Sequence, residues 1–208
     1  DRSVSRGLGD VYKRQGYRYF ETIPGAAEKV VYPFGYGLSY TTFDVETVSA
    51  GVVNSNCTSE ANKLYAKVRV TNTGKFSGKE VVQVYIAKPQ GKLGKPARVL
   101  IDFKKTKELM PGECETLTFA IPTSVFASYN EVSTAGMPVG WVLEAGEYTI
   151  YAGGNVRDAY AVGSFTLDEL QIVEECRNAL APTTAFKRMK MTAANEHAEA
   201  ACVYEIAM

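Results

Sequence analysis

The chain has 208 residues with 23 basic and 23 acidic side chains, so its formal net charge is zero and no field draws it to nucleic acid or an anionic membrane. No apolar run approaches the ~20 residues of a membrane-spanning helix, and the N-terminus lacks the charged-then-apolar order of a signal peptide. A soluble chain with one substantial core plus appendages is expected, with neither nucleic-acid nor membrane partners.

Residues Asp1 to Gln15 carry no helical or strand period and are expected to be disordered. Asp10-Val11-Tyr12-Lys13-Arg14-Gln15 resembles a translated sequencing adapter, which marks residues 1–15 as an assembly scar outside the fold. Residues 16–42 are aromatic and Gly-punctuated: Gly16-Tyr17-Arg18-Tyr19-Phe20 is followed by Tyr32-Pro33-Phe34-Gly35-Tyr36-Gly37-Leu38-Ser39-Tyr40-Thr41-Thr42-Phe43. Pro33 restricts the backbone while Gly35 and Gly37 permit close approach. So much ring area at one turn predicts a seam buried between packed bodies.

From Phe43 the period becomes two, the mark of half-buried strands. Leu64, Ala66, Val68 and Val70 alternate with Tyr65, Lys67, Arg69 and Thr71, and Asn72-Thr73-Gly74 supplies a turn. Val82, Val84 and Ile86 share the face of a second strand. After the Pro/Gly-rich loop Lys88 to Pro96, Val99, Ile101 and Phe103 are expected on one face and Leu100, Asp102 and Lys104 on the other. Leu117, Phe119 and Ile121 repeat the pattern. Met110-Pro111-Gly112-Glu113 and Glu144-Ala145-Gly146-Glu147 read as corners, the first as a type II turn. Thr123 to Asn130 reads as a helical turn crossing between sheets. Trp141, the single tryptophan, reads as a core anchor rather than a sugar platform. The last strand is expected over about Ala159 to Leu167. The total of seven or eight strands predicts an all-β sandwich across residues 43–167.

Beyond it, Leu167, Leu170, Val173, Cys176 and Leu180 fall near helical spacing, ended by Pro182, so residues 168–208 are expected to form a helical extension or linker. The basic patch Lys187, Arg188 and Lys190 reads as a solvated face.

Little in the chain points to chemistry of its own. Cys57, Cys114, Cys176 and Cys202 are widely spaced with only His197 to join them, which disfavours a metal site and predicts buried free thiols. Asn56-Cys57-Thr58 fits a glycosylation acceptor, a short and weak pattern. A retaining glycosidase needs two carboxyl groups ~5 to 5.5 Å apart. Glu80, Asp102, Glu113, Glu115 and Glu147 fall on predicted turns or solvent faces, so none is assigned a catalytic role. His197 stands apart from the sandwich, which disfavours a nucleophilic triad. The expected set of catalytic, cofactor-binding and metal-binding residues is empty, and no cofactor is expected.

The Tyr17/Tyr19 cluster, the Tyr32 to Phe43 seam, Val68-Arg69-Val70-Thr71-Asn72-Thr73-Gly74, Gly78-Lys79-Glu80-Val81-Val82-Gln83-Val84-Tyr85 and Leu143 to Tyr151 together resemble glycoside hydrolase family 3, the β-glucosidases. The resemblance implies that residues 16–42 are the edge of an α/β-sandwich domain and 43–167 a fibronectin-III-like domain. In that family the nucleophilic aspartate lies in a (β/α)₈ barrel and the acid/base usually comes from the α/β-sandwich domain; no position here matches either. The implied role is the non-catalytic portion of a retaining enzyme acting on terminal β-D-glucosyl residues. This chain would pack on the barrel and the α/β domain, and the β-glucoside substrate would meet those absent domains. The loop around Gln90 to Arg98 and the segment Cys176 to Met191 resemble a subgroup in which the barrel follows the sandwich, and a cytoplasmic setting is favoured. An independent carbohydrate-binding or adhesion module is the alternative.

Overall fold

Strand β2 (Lys63–Asn72) shows how the alternation becomes a core: Leu64, Ala66, Val68 and Val70 are completely buried. The computed structural model describes residues 15–53, 63–131, 133, 136–177, 186–191 and 202–207. Most of the stretch read as a scar, the acceptor pattern at Asn56 and the region around His197 lie outside the described residues. No helix among them is long and apolar enough to cross a membrane.

A short helix α1 (Tyr17–Phe20) precedes β1 (Phe43–Val53), β2, β3 (Val81–Ala87), β4 (Val99–Lys105), β5 (Cys114–Pro122), β6 (Ser128–Asn130), β7 (Gly140–Leu143), β8 (Gly146–Gly153) and β9 (Tyr160–Leu167). One antiparallel sheet runs β1-β2-β5 and faces a second in the order β4-β3-β8-β9. These seven strands are the sandwich that the alternation predicts. Leu117, Phe119 and Ile121 of β5 join the β2 row, and Val82, Val84, Ile86, Tyr148, Ile150 and Ala152 meet them from the other sheet. Each fully buried aliphatic or Phe side chain contributes roughly 1.5 to 3 kcal/mol of transfer free energy, which helps offset chain entropy.

The two sheets are tied at both sides. The Tyr160 hydroxyl donates to the Val45 carbonyl at 2.6 Å, joining β9 to β1. Opposite, Lys104 lies over the Phe119 ring and donates to the Thr118 carbonyl, joining β4 to β5.

Both corners form. Gly112 takes φ +80° and the Glu113 amide donates to Met110 at 2.9 Å, as a type II turn requires. At the second corner the buried Tyr148 hydroxyl donates back to the Glu144 carbonyl at 2.8 Å, a tyrosine corner that pins the entry to β8. Thr123–Phe126 is a 3-10 turn leading from one sheet toward β6, with Phe126 buried against Tyr148 and Phe165. Trp141 is half-buried against the core and meets Tyr129 edge-on at 5.4 Å.

Several expectations change. Phe103 does not share a face with Val99: the register slips between Val84 and Tyr85, so Phe103 stands opposite Gln83 and Lys104 opposite Val82. This bulge reverses the parity of β4, which turns Phe103 into solvent and puts Lys104 on the core-side face, where it stays exposed at the sheet edge. Cys114 is a free thiol but exposed, because it has the outward parity of Thr116 and Thr118; Cys176 is free and half-buried.

The helical extension is also overturned. Residues 171–175 form β10 (Gln171–Glu175), which pairs antiparallel with β7 in a small sheet ordered β10-β7-β6. The free edge of β7 instead pairs with Gln171, Ile172, Glu174 and Glu175, leaving Val173 in a bulge. β11 (Phe186–Met191) and β12 (Cys202–Ala207) pair as a further antiparallel hairpin, so the basic patch lies on a strand.

Candidate functional site

Residues 16–42 are a strap lying on the outer face of the four-stranded sheet. That face is prepared to receive it: within β3 the outward residues Gln83 and Tyr85 are as buried as the inward ones. Tyr85, Val156 and Ala159 form a second cluster against which Tyr17, Leu100 and Tyr151 pack. Phe34 stacks on Tyr17 with ring centroids 4.0 Å apart.

Polar bonds then stitch the strap down. The Gln83 amide donates to the carbonyls of Gly35 at 3.0 Å and Gly154 at 2.5 Å, and accepts from the Tyr85 hydroxyl at 2.5 Å. Gly35 takes φ +85°, and a Cβ there would overlap the Gln83 amide, so the position needs glycine on two counts. The Val156 amide donates to the Phe34 carbonyl at 3.0 Å. β4 is an edge strand, yet its Leu100 amide donates to the Tyr17 hydroxyl at 2.8 Å, and just before the strand the Ala97 amide donates to Thr22 Oγ1 at 2.9 Å. Tyr17→Phe keeps the ring stack and removes only that acceptor. By NMR the Leu100 amide is expected to exchange with deuterium roughly fivefold faster, the cost of one hydrogen bond, while the Val84 amide is unchanged.

Beside the strap, Glu21, Ala97, Arg98, Val156 and Arg157 line a cleft of about 300 Å³. The Arg98 guanidinium lies 4.0 Å from the Tyr151 ring centroid and donates through Nη1 to the Val156 carbonyl at 2.5 Å and the Ala159 carbonyl at 3.1 Å. Arg157 pairs with Glu21 at 2.9 Å and donates to the Ala27 carbonyl at 3.0 Å. Burial pushes the Tyr85 phenol well above its ordinary range, aided by Tyr17 and Glu21 and opposed by Arg98. This arrangement clamps two parts of one chain.

Two of the carboxylates named from the sequence, Glu113 and Glu115, both engage Lys107. Glu113 pairs with Lys107 at 2.6 Å, Glu115 accepts from the Lys107 amide at 2.8 Å, and Glu80 sits half-buried, its carboxyl held above the usual range by burial. Among the described residues no group of three or more His, Cys, Asp or Glu side chains could hold a metal.

The loop Lys88 to Pro96 folds back onto the domain. Lys95 is 1% exposed; its ammonium donates to the Pro89 carbonyl at 2.6 Å and pairs with the buried Glu144, which also accepts from the Lys92 amide at 2.7 Å. Gln83, Lys95 and Glu144 were missed because a polar residue in an apolar run or a Gly-rich loop reads as solvated. The signal for Gln83 was the unbroken strand Val81 to Ile86, the pattern of a strand covered on both faces.

On its other side the strap faces water. Val31, Tyr32, Leu38 and Tyr40 are strongly exposed, and Tyr36 stacks on Tyr32 at 5.0 Å. The predicted seam is therefore buried only in part within this chain: Tyr17 packs on the sheet with Phe34 stacked on it and Phe43 packs against the core, while Phe34 keeps 39% exposure and Tyr32, Tyr36 and Tyr40 face water.

The fibronectin type III-like domain family matches residues 80–156. The chain is 47% identical over 189 residues to β-glucosidase A of Butyrivibrio fibrisolvens, covering 86% of this chain and 22% of that protein. It is 46% identical to a β-glucosidase of Ruminococcus albus, covering 88% and 19%. A solved β-glucosidase from Paenibacillus barengoltzii matches with a TM-score of 0.84 at 42% identity, covering 93% of this chain and 21% of that one. The chain thus spans about a fifth of the length of these relatives.

Proposed function

The chain belongs to glycoside hydrolase family 3, in the fibronectin type III-like region of its β-glucosidases, and from that premise we propose that it is the non-catalytic brace of a retaining enzyme that hydrolyses terminal β-D-glucosyl residues. One observation carries the reading: the strap is stitched to the sandwich on its inner side and displays apolar residues on its outer side. A sandwich that spends a buried glutamine, an ion pair and two edge amides on fixing such a strap is suited to holding a docking surface for neighbouring domains. The substrate-binding carboxylates belong, on this reading, to parts of the parent outside these residues. Within the chain, Glu21 and Glu144 are committed to Arg157 and Lys95.

Purified chain incubated with an aryl β-glucoside is expected to show no turnover above a mock purification; turnover that survives further purification would refute the assignment. An independent sugar-binding module is favoured by the exposed tyrosines alone, and two of these, Tyr32 and Tyr36, already use a ring face on each other. Saturable titration with cello-oligosaccharides would replace the bracing role with that one.

A further inference from the structure

Asn72, the last residue of β2, is completely buried, and three loops close on its side-chain amide. Its Oδ1 accepts from the Thr41 hydroxyl at 2.8 Å and the Gly74 amide at 3.0 Å. Its Nδ2 donates to the carbonyls of Phe76 and Leu109, each at 2.8 Å. Beside each anchored loop atom stands one large exposed side chain: Tyr40 next to Thr41, Phe76 itself, and Met110 next to Leu109, at 96%, 65% and 60% exposure. A buried amide with all its bonds made fixes its surroundings. Three apolar side chains held in water around one rigid point have no packing role among the described residues.

We propose that Tyr40, Phe76 and Met110 form one apolar end-face that docks against the remainder of the parent β-glucosidase, extending the interface beyond the strap. This rests on the bracing reading above. The occupant follows from extent and route. About four fifths of a protein like its relatives lies outside the chain, and the strap delivers its own exposed row, Val31 to Tyr40, to this end of the sandwich. Three side chains fall far short of the ~800 Å² per partner that a separate protein needs. A domain in the same polypeptide is present at high effective concentration, so a small face suffices.

The test grafts this chain in place of the matching region of the Paenibacillus barengoltzii enzyme, to which it is 42% identical. The graft is expected to hydrolyse an aryl β-glucoside, and its Met110 to be oxidised by peroxide more slowly than in the isolated chain. Phe76→Ser with Met110→Ser should shorten the thermal-inactivation half-life of the graft about tenfold, the scale of a lost interface anchor. The melting temperature of the isolated chain should stay where it was. Val125→Ser, which removes an apolar side chain 52% exposed on a different turn, should change neither. An active graft whose Met110 is as reactive as in the isolated chain, or whose half-life ignores the double substitution, overturns the end-face alone. Equal losses in graft and isolated chain would make the two residues structural and overturn it too. A graft that protects Met110 yet is inactive overturns the bracing role and leaves the end-face standing; one with neither property overturns both.

Discussion

Asn72→Ala is expected to lower the stability of the chain by about 3 to 4 kcal/mol, near the upper end for a single substitution, because it removes four hydrogen bonds from a completely buried side chain and takes from the Thr41 hydroxyl and the Phe76 carbonyl the partner they use. The Thr41 hydroxyl and the Phe76 carbonyl would have to find water at a site packed against β2, or open the loops to reach it, whereas the Leu109 carbonyl and the Gly74 amide keep their bonds to the Gly78 amide and the Thr42 carbonyl. Urea unfolding followed by fluorescence reads the loss as a lower midpoint at unchanged slope. Thr41→Val removes one of the four bonds and should cost only about 1 kcal/mol. Equal losses for the two variants would mean that the amide does not integrate the three loops.

The second large effect lies at the other end of the molecule. Lys95→Met or Glu144→Gln alone should cost about 3 to 5 kcal/mol, since each leaves an unpaired charge in a dry site. The double replacement Lys95→Met with Glu144→Leu should recover most of that, because the pair is held together against a desolvation penalty of its own. Burial outweighs the attraction of Glu144 and keeps the Lys95 ammonium below its usual range. Between that lowered value and 10.5 the folded chain has shed a proton that the unfolded chain still holds, so this group's contribution to stability rises with pH. Lys95→Met should flatten that alkaline rise in a series of urea melts. Two single variants no less stable than the double one would show the pair to be solvated.

The inward row of β2 was legible because one face of that strand is buried and the other wet, so parity alone reports it. Parity failed in β4 for a reason no single-strand pattern can carry: the bulge depends on how Val84 and Tyr85 pair across the ladder. It failed again at β10, where apolar spacing suited a helix but the decisive fact was an unused edge on β7, far upstream in the chain. The aromatic seam stood out by composition, yet composition says only that rings want cover. That Tyr17 is covered here, with Phe34 stacked on it, depended on the buried outer face of β3, whose marker was a glutamine in an apolar run. Lys95 and Glu144 lie 49 positions apart, and nothing local to either announces the other.

The hydroxyls that Tyr17 and Thr22 lend to the rim of β4 carry one more implication. A chain begun at Phe43 would keep every sandwich strand but leave the Ala97 and Leu100 amides facing outward on a sheet rim. Unpaired backbone of that kind recruits strands from other molecules, so such a shortened chain would be prone to self-assembly into aggregates. The strap is thus a guard against misassociation as well as a connection.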